Sequence, residues 1–286
     1  MNNTVIGIFR GYRLALHLAF GMLLAVFYPH FNQARQRKIL KLWSRRLLDI
    51  LNIGIRTEGQ RPVRGESGCM VVANHVSWLD IFVLNAIYPS RFIAKAEVRN
   101  WPLIGWLCKR SNTIFIERAM RRNAASVNRH ISCLLNRGIC VGLFPEGTTT
   151  DGKQVGHFHS ALIQPAVDAG AMLCPVTLRY QDEAGDQCSA AAFTGDTTLV
   201  QSIWKILRCR QLDALVTFAP ALAAAGENRR VLARAAQEAI AQELRNFPDM
   251  RQAPEREAAP ASPHTPLAAQ PAYVSLFDPF PSQLLK

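Results

Sequence analysis

The chain has 286 residues, of which 49% are hydrophobic and 19% charged, and its formal net charge at pH 7 is +12. This apolar content excludes a mainly disordered chain, and the length suits one large domain or two small ones. The excess of basic residues favours an anionic partner, which is nucleic acid, an anionic lipid surface or a phosphorylated substrate. The seven cysteines are scattered without a metal-binding spacing, so we expect reduced thiols and a compartment such as the cytosol.

Residues 1–50 are predicted to form a helical segment that associates with a membrane. The apolar run at 14–28 is shorter than the roughly 20 residues that a membrane-crossing helix requires. The segment contains eight lysines and arginines and one acidic residue, Asp49. An apolar helix flanked by cations is typical of a protein that lies in an anionic membrane surface. A buried helix of a soluble domain and a true spanning helix are the alternatives.

Residues 51–247 are predicted to form an α/β domain with a mixed, partly parallel sheet flanked by helices. Short apolar runs alternate there with helical patterns, which is typical of such a sheet. We expect strands at 69–73, 91–94, 113–117, 139–144, 172–180 and 212–219. We expect helices at 79–86, 121–136, 160–168 and 228–247.

The last part of the chain, residues 248–286, differs sharply in composition. It holds eight of the chain's 16 prolines, with alanine, glutamine and serine between them. Proline at this density does not continue a helix or a sheet, so we predict a mostly disordered tail.

An imidazole and a carboxylate follow the first predicted strand as His75 and Asp80. A carboxylate that accepts a hydrogen bond from one ring nitrogen leaves the other free to take a proton from a substrate. Because a separation of five residues does not align two side chains on a helix, we expect His75 on a turn and Asp80 in the first turns of the helix, with Ser77 as its N-cap. Taken alone, this spacing is equally consistent with a surface histidine beside a helix.

A second polar segment, residues 145–152, leaves the predicted strand at 139–144. A glycine-containing turn at a strand end presents backbone N–H groups that bind phosphate oxygens or an oxyanion. An ordinary exit from a strand into a loop explains the same residues.

Four motifs in chain order are similar to those of the glycerolipid acyltransferase family. They are N-H-x4-D, G-x-x-F-I-x-R, F-P-E-G-T and an apolar run around a proline, and they fall at 74–80, 112–118, 144–148 and 173–176. The third is unchanged, and the second is nearly present. The chain therefore resembles this family, in particular its bacterial 1-acylglycerol-3-phosphate acyltransferases, over residues 55–220.

The resemblance implies an acyl transfer from a thioester, carried by coenzyme A or acyl carrier protein, to the free hydroxyl of a lysolipid. His75 is then the catalytic base, and Asp80 orients it and stabilises its cationic form. Since the thioester is already activated, neither a covalent nucleophile nor a separate cofactor is expected. The product implied is phosphatidic acid, made at the cytoplasmic face of a bacterial inner membrane.

The resemblance also implies a set of substrate-binding residues, in which an arginine faces the acceptor's phosphate. These residues are Asn74, Arg118, Glu146, Gly147 and Thr148. No metal is expected, and the neighbouring His157 and His159 are interpreted as ordinary loop residues.

Two positions depart from the family pattern. Asn112 replaces the glycine of the second motif, and because asparagine tolerates left-handed backbone the turn is expected to survive. Thr149 stands where many phosphatidate-forming members have arginine, which leaves another lysolipid acceptor, such as lyso-ornithine lipid, as an alternative. The non-enzymatic alternative is a basic protein that binds membranes or nucleic acid, although no nucleic-acid-binding pattern is present.

Aromatic and cationic residues also alternate between 95 and 110, around Trp101, Leu103 and Trp106. This pattern predicts a patch at the membrane interface through which a lipid enters the site. A purely structural role in the core explains the apolar residues equally well.

Overall fold

The computed structural model describes residues 3–62, 68–116 and 121–246, without the side chains of 121–124. The helices are α1 Asn3–Phe27, α2 Gln33–Leu51, α3 Leu79–Ile87, α4 Ile104–Arg110, α5 Arg121–Asn136, α6 Gln164–Asp168, α7 Leu199–Arg208 and α8 Arg229–Asn246. The strands are β1 Ile53–Gly59, β2 Cys69–Ala73, β3 Arg91–Lys95, β4 Ile114–Ile116, β5 Val141–Leu143, β6 Met172–Gln181, β7 Leu212–Phe218 and β8 Leu222–Ala223. Short 3-10 helices lie at Tyr28–His30, Ala96–Asn100 and Ser160–Leu162. The tail predicted at 248–286 lies outside the described residues.

The strands of the described chain form one mixed sheet in the order β1-β7-β6-β2-β5-β3-β4, with β8 paired to β6. The pairs from β6 through β2, β5 and β3 to β4 are parallel. The pair of β6 with β7 is antiparallel, and β1 is parallel to β7. This confirms the predicted fold class. Because β2, β5 and β6 are parallel neighbours, the residues that follow them leave the sheet at the same edge.

Two apolar layers cover the two faces of the sheet. Along β2, Cys69, Val71 and Ala73 face the layer that contains α1, α2, α3 and α7. Met70 and Val72 face the opposite layer, which contains residues of α5, α6 and α8. A strand buried on both faces reads as a continuous apolar run, which explains why its bounds were predicted correctly.

The N-terminal helix is longer than the apolar run that predicted it. Helix α1 has 25 residues and continues through the charged Arg10 and Arg13. Arg10 is accommodated because its guanidinium donates hydrogen bonds to the backbone carbonyls of Leu207, Cys209 and Arg210, at and just beyond the end of α7. The apolar run at 14–28 therefore marks only part of this helix, which is long enough to cross a membrane.

Helices α1 and α2 form an antiparallel pair that packs on the domain. The His17 ring stacks on Trp43 of α2, with centroids 4.7 Å apart. Gly21 leaves room for the same indole, since a Cβ there would lie 2.6 Å from Trp43 Nε1. Leu14 of α1 and Leu47 of α2 belong to the same apolar layer as α3. The N-terminal pair is thus part of the core of the domain.

The sequence pattern missed several elements. Strand β1 at Ile53–Gly59 lies at the edge of the sheet that the described residues form, with β7 as its neighbour. It carries the polar or charged side chains of Arg56, Thr57 and Glu58, so it lacks the continuous apolar pattern of a central strand. Helices α4 and α7 were also not predicted, and the helix predicted at 160–168 is divided into a 3-10 turn and α6.

Candidate active site

The first pair of predicted site residues meets at the carboxyl edge of the sheet. His75 lies on the turn between β2 and α3, and Asp80 is the second residue of α3. Their side chains lie 2.8 Å apart, measured from His75 Nδ1 to Asp80 Oδ2. A carboxylate acceptor places the ring proton on Nδ1. Among the described residues nothing bonds to Nε2, and the imidazole is 19% exposed. The position of His75 on the turn and of Asp80 at the start of α3 confirms the predicted arrangement of turn and helix.

Asp80 is completely buried and accepts four hydrogen bonds from the described residues. Oδ2 accepts the bond from His75 and two more from the backbone N–H groups of Val76 and Ser77, at 2.7 and 2.9 Å. Oδ1 accepts a bond of 2.7 Å from the Tyr180 hydroxyl. These donors offset the cost of removing a carboxylate from water. They also hold the turn that carries His75 against the start of α3.

The predicted N-cap at Ser77 was wrong. Helix α3 begins after Trp78 and has no side-chain cap. The Asp80 carboxylate takes the N–H groups of this turn instead, and the Ser77 hydroxyl is buried without a partner among the described residues. A cap at position 77 would accept the N–H of residue 79 or 80, whereas the Asp80 carboxylate accepts the N–H groups of Val76 and Ser77.

Two phenylalanines fix the plane of the imidazole. The Phe144 ring stacks on His75 with centroids 4.0 Å apart and an interplanar angle of 9°. Phe92 stacks in turn on Phe144 at 5.5 Å. Gly142 makes this possible, because a Cβ there would lie 2.4 Å from the Phe92 ring. Sequence reasoning did not assign a role to Phe144, although it opens the F-P-E-G-T motif.

Glu146 ties the turn after β5 to the backbone of His75. Its Oε1 accepts the His75 N–H and its Oε2 accepts the Gly156 N–H, both at 2.8 Å. The side chain is buried, and burial raises the pKa of this carboxyl above its ordinary 4.5, while the two N–H donors oppose that shift. Glu146 thus holds the turn of His75, and its predicted contact with substrate stays a prediction.

The other residues of this turn are arranged by backbone bonds. Gly147 has a φ of +66°, which favours glycine, and its N–H donates to the Phe144 carbonyl at 3.0 Å. Thr148 is exposed, and its N–H has no acceptor among the described residues. Thr150 donates its N–H to the His75 carbonyl at 2.7 Å. The two loops that follow β2 and β5 are therefore joined directly at the backbone of His75.

Asn74 is buried, and its carboxamide bonds to β6. Its Oδ1 accepts the Leu178 N–H at 2.7 Å, and its Nδ2 donates to the Leu178 carbonyl at 2.9 Å. These two bonds continue the β2–β6 ladder beyond Ala73 and set the height at which the chain turns to His75. The predicted contact of Asn74 with substrate stays a prediction.

The second motif is described only up to residue 116, and the predicted phosphate ligand Arg118 lies outside the described residues. The turn that opens this motif has the left-handed backbone that was expected, since Asn112 has a φ of +61°. Thr149, in the position of the missing arginine, donates its hydroxyl to the Phe193 carbonyl. That bond joins the F-P-E-G-T turn to the loop after β6, whose Phe193 N–H also donates to Val76.

The aromatic segment before this motif is largely on the surface. Trp101, Leu103 and Trp106 are exposed, which contradicts a purely structural role in the core. The Arg110 guanidinium lies over the Trp106 ring, 5.5 Å from its centroid. Leu103 has a φ of +60°, a conformation that side chains rarely adopt. The segment thus presents apolar side chains beside a cation, as an interfacial patch requires.

The described residues contain no group of three or more histidine, cysteine, aspartate or glutamate side chains that could hold a metal ion. His157 and His159 do lie close together, with ring centroids 5.5 Å apart and the rings nearly perpendicular.

Comparison with known proteins agrees with the fold and the motifs. A family model described as Acyltransferase matches residues 54–179. The 1-acyl-sn-glycerol-3-phosphate acyltransferase of Neisseria meningitidis is 39% identical over 209 residues, which are 73% of this chain and 81% of that protein. The lyso-ornithine lipid O-acyltransferase of Pseudomonas aeruginosa is 35% identical over 205 residues, which are 72% of this chain and 78% of that protein.

A solved structure shows the same fold. The 1-acyl-sn-glycerophosphate acyltransferase of Thermotoga maritima superposes with a TM-score of 0.63 and 19% identity, covering 88% of this chain and 97% of that one. The extent and identity of the sequence matches show that this chain belongs to the acyltransferase family and is an O-acyltransferase.

The buried Glu146 carboxyl predicts a dependence of stability on pH. Because its folded pKa is raised, folded Glu146 binds more protons than unfolded Glu146 between the two pKa values. Its contribution is full below the unfolded pKa and is lost as the pH rises through the folded one. We therefore predict that the stability of Glu146→Gln relative to the wild type increases with pH, because glutamine does not titrate.

The measurement is the free energy of unfolding of both proteins by denaturant, in one detergent, from about pH 4 to about pH 8. A difference that is constant over this range would show that burial does not raise the pKa of Glu146.

Proposed function

We propose that the protein transfers a fatty acyl group from a thioester to the hydroxyl of a lysolipid, and that the acceptor is 1-acyl-sn-glycerol 3-phosphate. The observation that carries the proposal is the bond between His75 Nδ1 and Asp80 Oδ2, which leaves Nε2 unprotonated beside solvent. A neutral imidazole held in this tautomer is a general base for a hydroxyl group. The relatives of known name use acceptors of this class.

The proposed reaction needs one proton carrier. His75 Nε2 takes the proton of the acceptor hydroxyl as the oxygen attacks the thioester carbonyl, and Asp80 stabilises the resulting imidazolium. The free N–H of Thr148 is a candidate donor to the oxyanion of the tetrahedral intermediate. The intermediate then collapses with loss of the thiolate, which the imidazolium reprotonates. The ester product and the free thiol balance the reaction without a redox step.

The donor is proposed to be acyl-coenzyme A or acyl carrier protein, because either supplies the thioester. On the acceptor side, Arg118 is proposed to bind the phosphate of the lysolipid. A second acceptor, lyso-ornithine lipid, is favoured by the neutral Thr149 in place of arginine and by the Pseudomonas aeruginosa relative. It carries no phosphate, so the two acceptors are chemically distinct.

A direct assay separates these acceptors. Purified enzyme is given isotopically labelled acyl-coenzyme A or acyl carrier protein together with each lysolipid, and the products are identified by mass spectrometry. We expect labelled phosphatidic acid. Labelled ornithine lipid alone would replace the proposed acceptor, and no product with either acceptor or donor would contradict the proposed function.

We predict that His75→Ala lowers kcat by about 10²–10⁴-fold, the usual contribution of a positioned general base. The measurement is acyl transfer at saturating substrate, with folding monitored by circular dichroism. His130→Ala is the matched control, because this histidine is exposed on α5. A folded His75→Ala enzyme with the activity of the control would rule out His75 as the base.

We propose that α1 lies within one leaflet of the membrane. By length and composition, Asn3–His30 is apolar enough to cross a bilayer. However, its inner side is bonded to the domain at Arg10 and stacked on Trp43 at His17. A helix held along its length in this way cannot also stand across a bilayer. The acceptor and product are membrane lipids, which supports a location on the cytoplasmic face of the inner membrane.

The opposite side of α1 carries a row of exposed apolar side chains, spaced by three or four residues and therefore on one face. We call this row the outer stripe; its members are Val5, Ile8, Phe9, Tyr12, Leu16, Phe20, Leu23 and Phe27. In water, this exposed area is unfavourable; in the interface of a bilayer it is buried. Lysines and arginines of α2 then meet anionic headgroups.

We predict that the double variant Phe9→Ser and Phe20→Ser binds membranes at least about 100-fold more weakly, since each phenylalanine loses about 1.5–3 kcal/mol of burial. Both rings are exposed, so the fold is not expected to change. Flotation with vesicles that contain anionic lipid measures the binding. The control is Val231→Ser, an exposed apolar residue of α8 on the other side of the sheet.

Equal flotation of the double variant and the control would contradict a membrane role for the outer stripe. Salt-sensitive binding to nucleic acid by a protein that does not float at all would favour the non-enzymatic alternative.

A further inference from the structure

One buried hydroxyl contacts the catalytic pair but has no role in the reaction described above. It belongs to Tyr180 on β6, which is 2% exposed. Its hydroxyl donates to Asp80 Oδ1 at 2.7 Å across 100 positions of sequence. Tyr180 is also the largest of the fully buried side chains of the described chain. A buried phenol needs a hydrogen-bond partner, because an unpaired buried hydroxyl costs free energy of folding.

Strand β6 places this hydroxyl next to the turn that carries His75. Ala73, the last residue of β2, pairs with Val176 of β6, and Asn74 bonds to Leu178. Strand β6 continues past the end of β2, so that Tyr180 lies beyond the last residue of its neighbour. Val176, Leu178 and Tyr180 alternate along the strand and face the layer that contains α3. The phenol therefore reaches the first turn of α3 from the face of the sheet on which α3 packs.

The two oxygens of Asp80 have different partners. Oδ2 bonds to His75 and to two backbone N–H groups of its own turn. Oδ1 bonds to Tyr180, which is its partner among the described residues. The local chain thus fixes Oδ2, while a distant strand fixes Oδ1 and with it the rotation of the carboxylate about its Cβ–Cγ bond.

We propose that Tyr180 is a positioning residue of the acyl transfer, which holds the Asp80 carboxylate in the plane of the imidazole and limits how strongly that carboxylate stabilises the imidazolium. The inference rests on the proposed function. It concerns the hydrogen bond from the Tyr180 hydroxyl to Asp80 Oδ1, and Tyr180 acts on the substrate only through Asp80 and His75.

The charges around Asp80 determine whether loss of the Tyr180 hydroxyl raises or lowers the pH at which His75 becomes a neutral base. Burial and the neighbouring Asp80 charge raise the pKa of Tyr180 well above its ordinary 10, so the phenol stays a neutral donor at any working pH. The titratable groups of the described residues that interact with His75 are Asp80 from α3 and Glu146 from the turn after β5. Without the phenolic donor, Asp80 keeps more of its negative charge for His75. The imidazolium is then stabilised, and the base is neutral only at higher pH.

The test is Tyr180→Phe, which removes one oxygen and keeps the ring. We expect kcat to fall roughly tenfold, the loss of one hydrogen bond to a charged group, while KM for both substrates stays unchanged. The midpoint of the acidic limb of the pH–rate profile is expected to move upward by about 0.5 pH unit. In an Asp80→Asn background, the same change should no longer move this midpoint.

Tyr88→Phe is the matched control. Tyr88 is another buried tyrosine, and its hydroxyl accepts bonds from the thiols of Cys69 and Cys140, at 3.3 and 3.4 Å. Cys69 is the first residue of β2 and Cys140 directly precedes β5, whereas His75 follows the opposite end of β2. Tyr88→Phe should therefore leave the pH–rate midpoint and kcat as in the wild type, even where both variants lower the unfolding temperature.

A titration without substrate separates this inference from the proposed function. The ring protons of His75, assigned by comparison with His75→Ala, are followed by NMR against pH in the folded wild type, Tyr180→Phe and Tyr88→Phe. An upward shift of the midpoint in Tyr180→Phe alone supports the inference, even if no lysolipid is acylated. Equal midpoints in the three proteins, or a kcat of Tyr180→Phe equal to that of Tyr88→Phe, would overturn it.

Discussion

The buried carboxylate of Asp80 is the constraint on which the site depends. A charge without contact with water is tolerated only when donors surround it, because the uncompensated cost of desolvation is several kcal/mol. The donors here are two N–H groups of the turn before α3, the imidazole of that turn, and a phenol from β6. Moving any of these parts removes one of the four hydrogen bonds that this buried charge accepts. Displacing His75 would take a hydrogen-bond donor away from the buried Asp80 carboxylate, and this cost in free energy fixes the position of His75. The same bond occupies Nδ1 and so leaves Nε2 as the free ring nitrogen.

The topology explains why distant motifs meet at this carboxylate. Strands β2, β5 and β6 are neighbouring, β2 being parallel to both of the others, so the turns after β2 and β5 and the end of β6 emerge at one edge. Ligands of such sheets commonly bind at this edge. The α1–α2 pair shares its apolar layer with α3, the helix that carries Asp80. The part of the chain proposed to lie in the membrane and the catalytic helix are thus one packed unit, which suits an enzyme whose acceptor is itself a lipid.

Much of this arrangement was predictable from the sequence, and the remainder depends on contacts that a local pattern does not contain. Strand β2 was predicted within its observed bounds because it is apolar throughout, and His75 and Asp80 meet from the turn and the helix start that were expected for them. Helix α1 was underestimated because Arg10 interrupts the apolar run, and its carbonyl acceptors lie nearly 200 positions away. Ser77 was taken for a cap because its residue type favours that role, whereas the helix begins after Trp78 and the Asp80 carboxylate accepts the N–H groups of Val76 and Ser77. Tyr180 had no signal at all, since its partner is 100 positions away.

The most direct test of the central claim is the tautomer of His75. The claim is that Asp80 holds the proton on Nδ1 and leaves Nε2 as the base. In protein with ¹⁵N-labelled histidine, the two ring nitrogens have distinct chemical shifts at a pH where the imidazole is neutral and carries one N–H. The account predicts a protonated Nδ1 with a strongly hydrogen-bonded, downfield proton that is lost in Asp80→Asn, and an unprotonated Nε2. A proton on Nε2 in the folded wild type, or a spectrum that Asp80→Asn leaves unchanged, would contradict it.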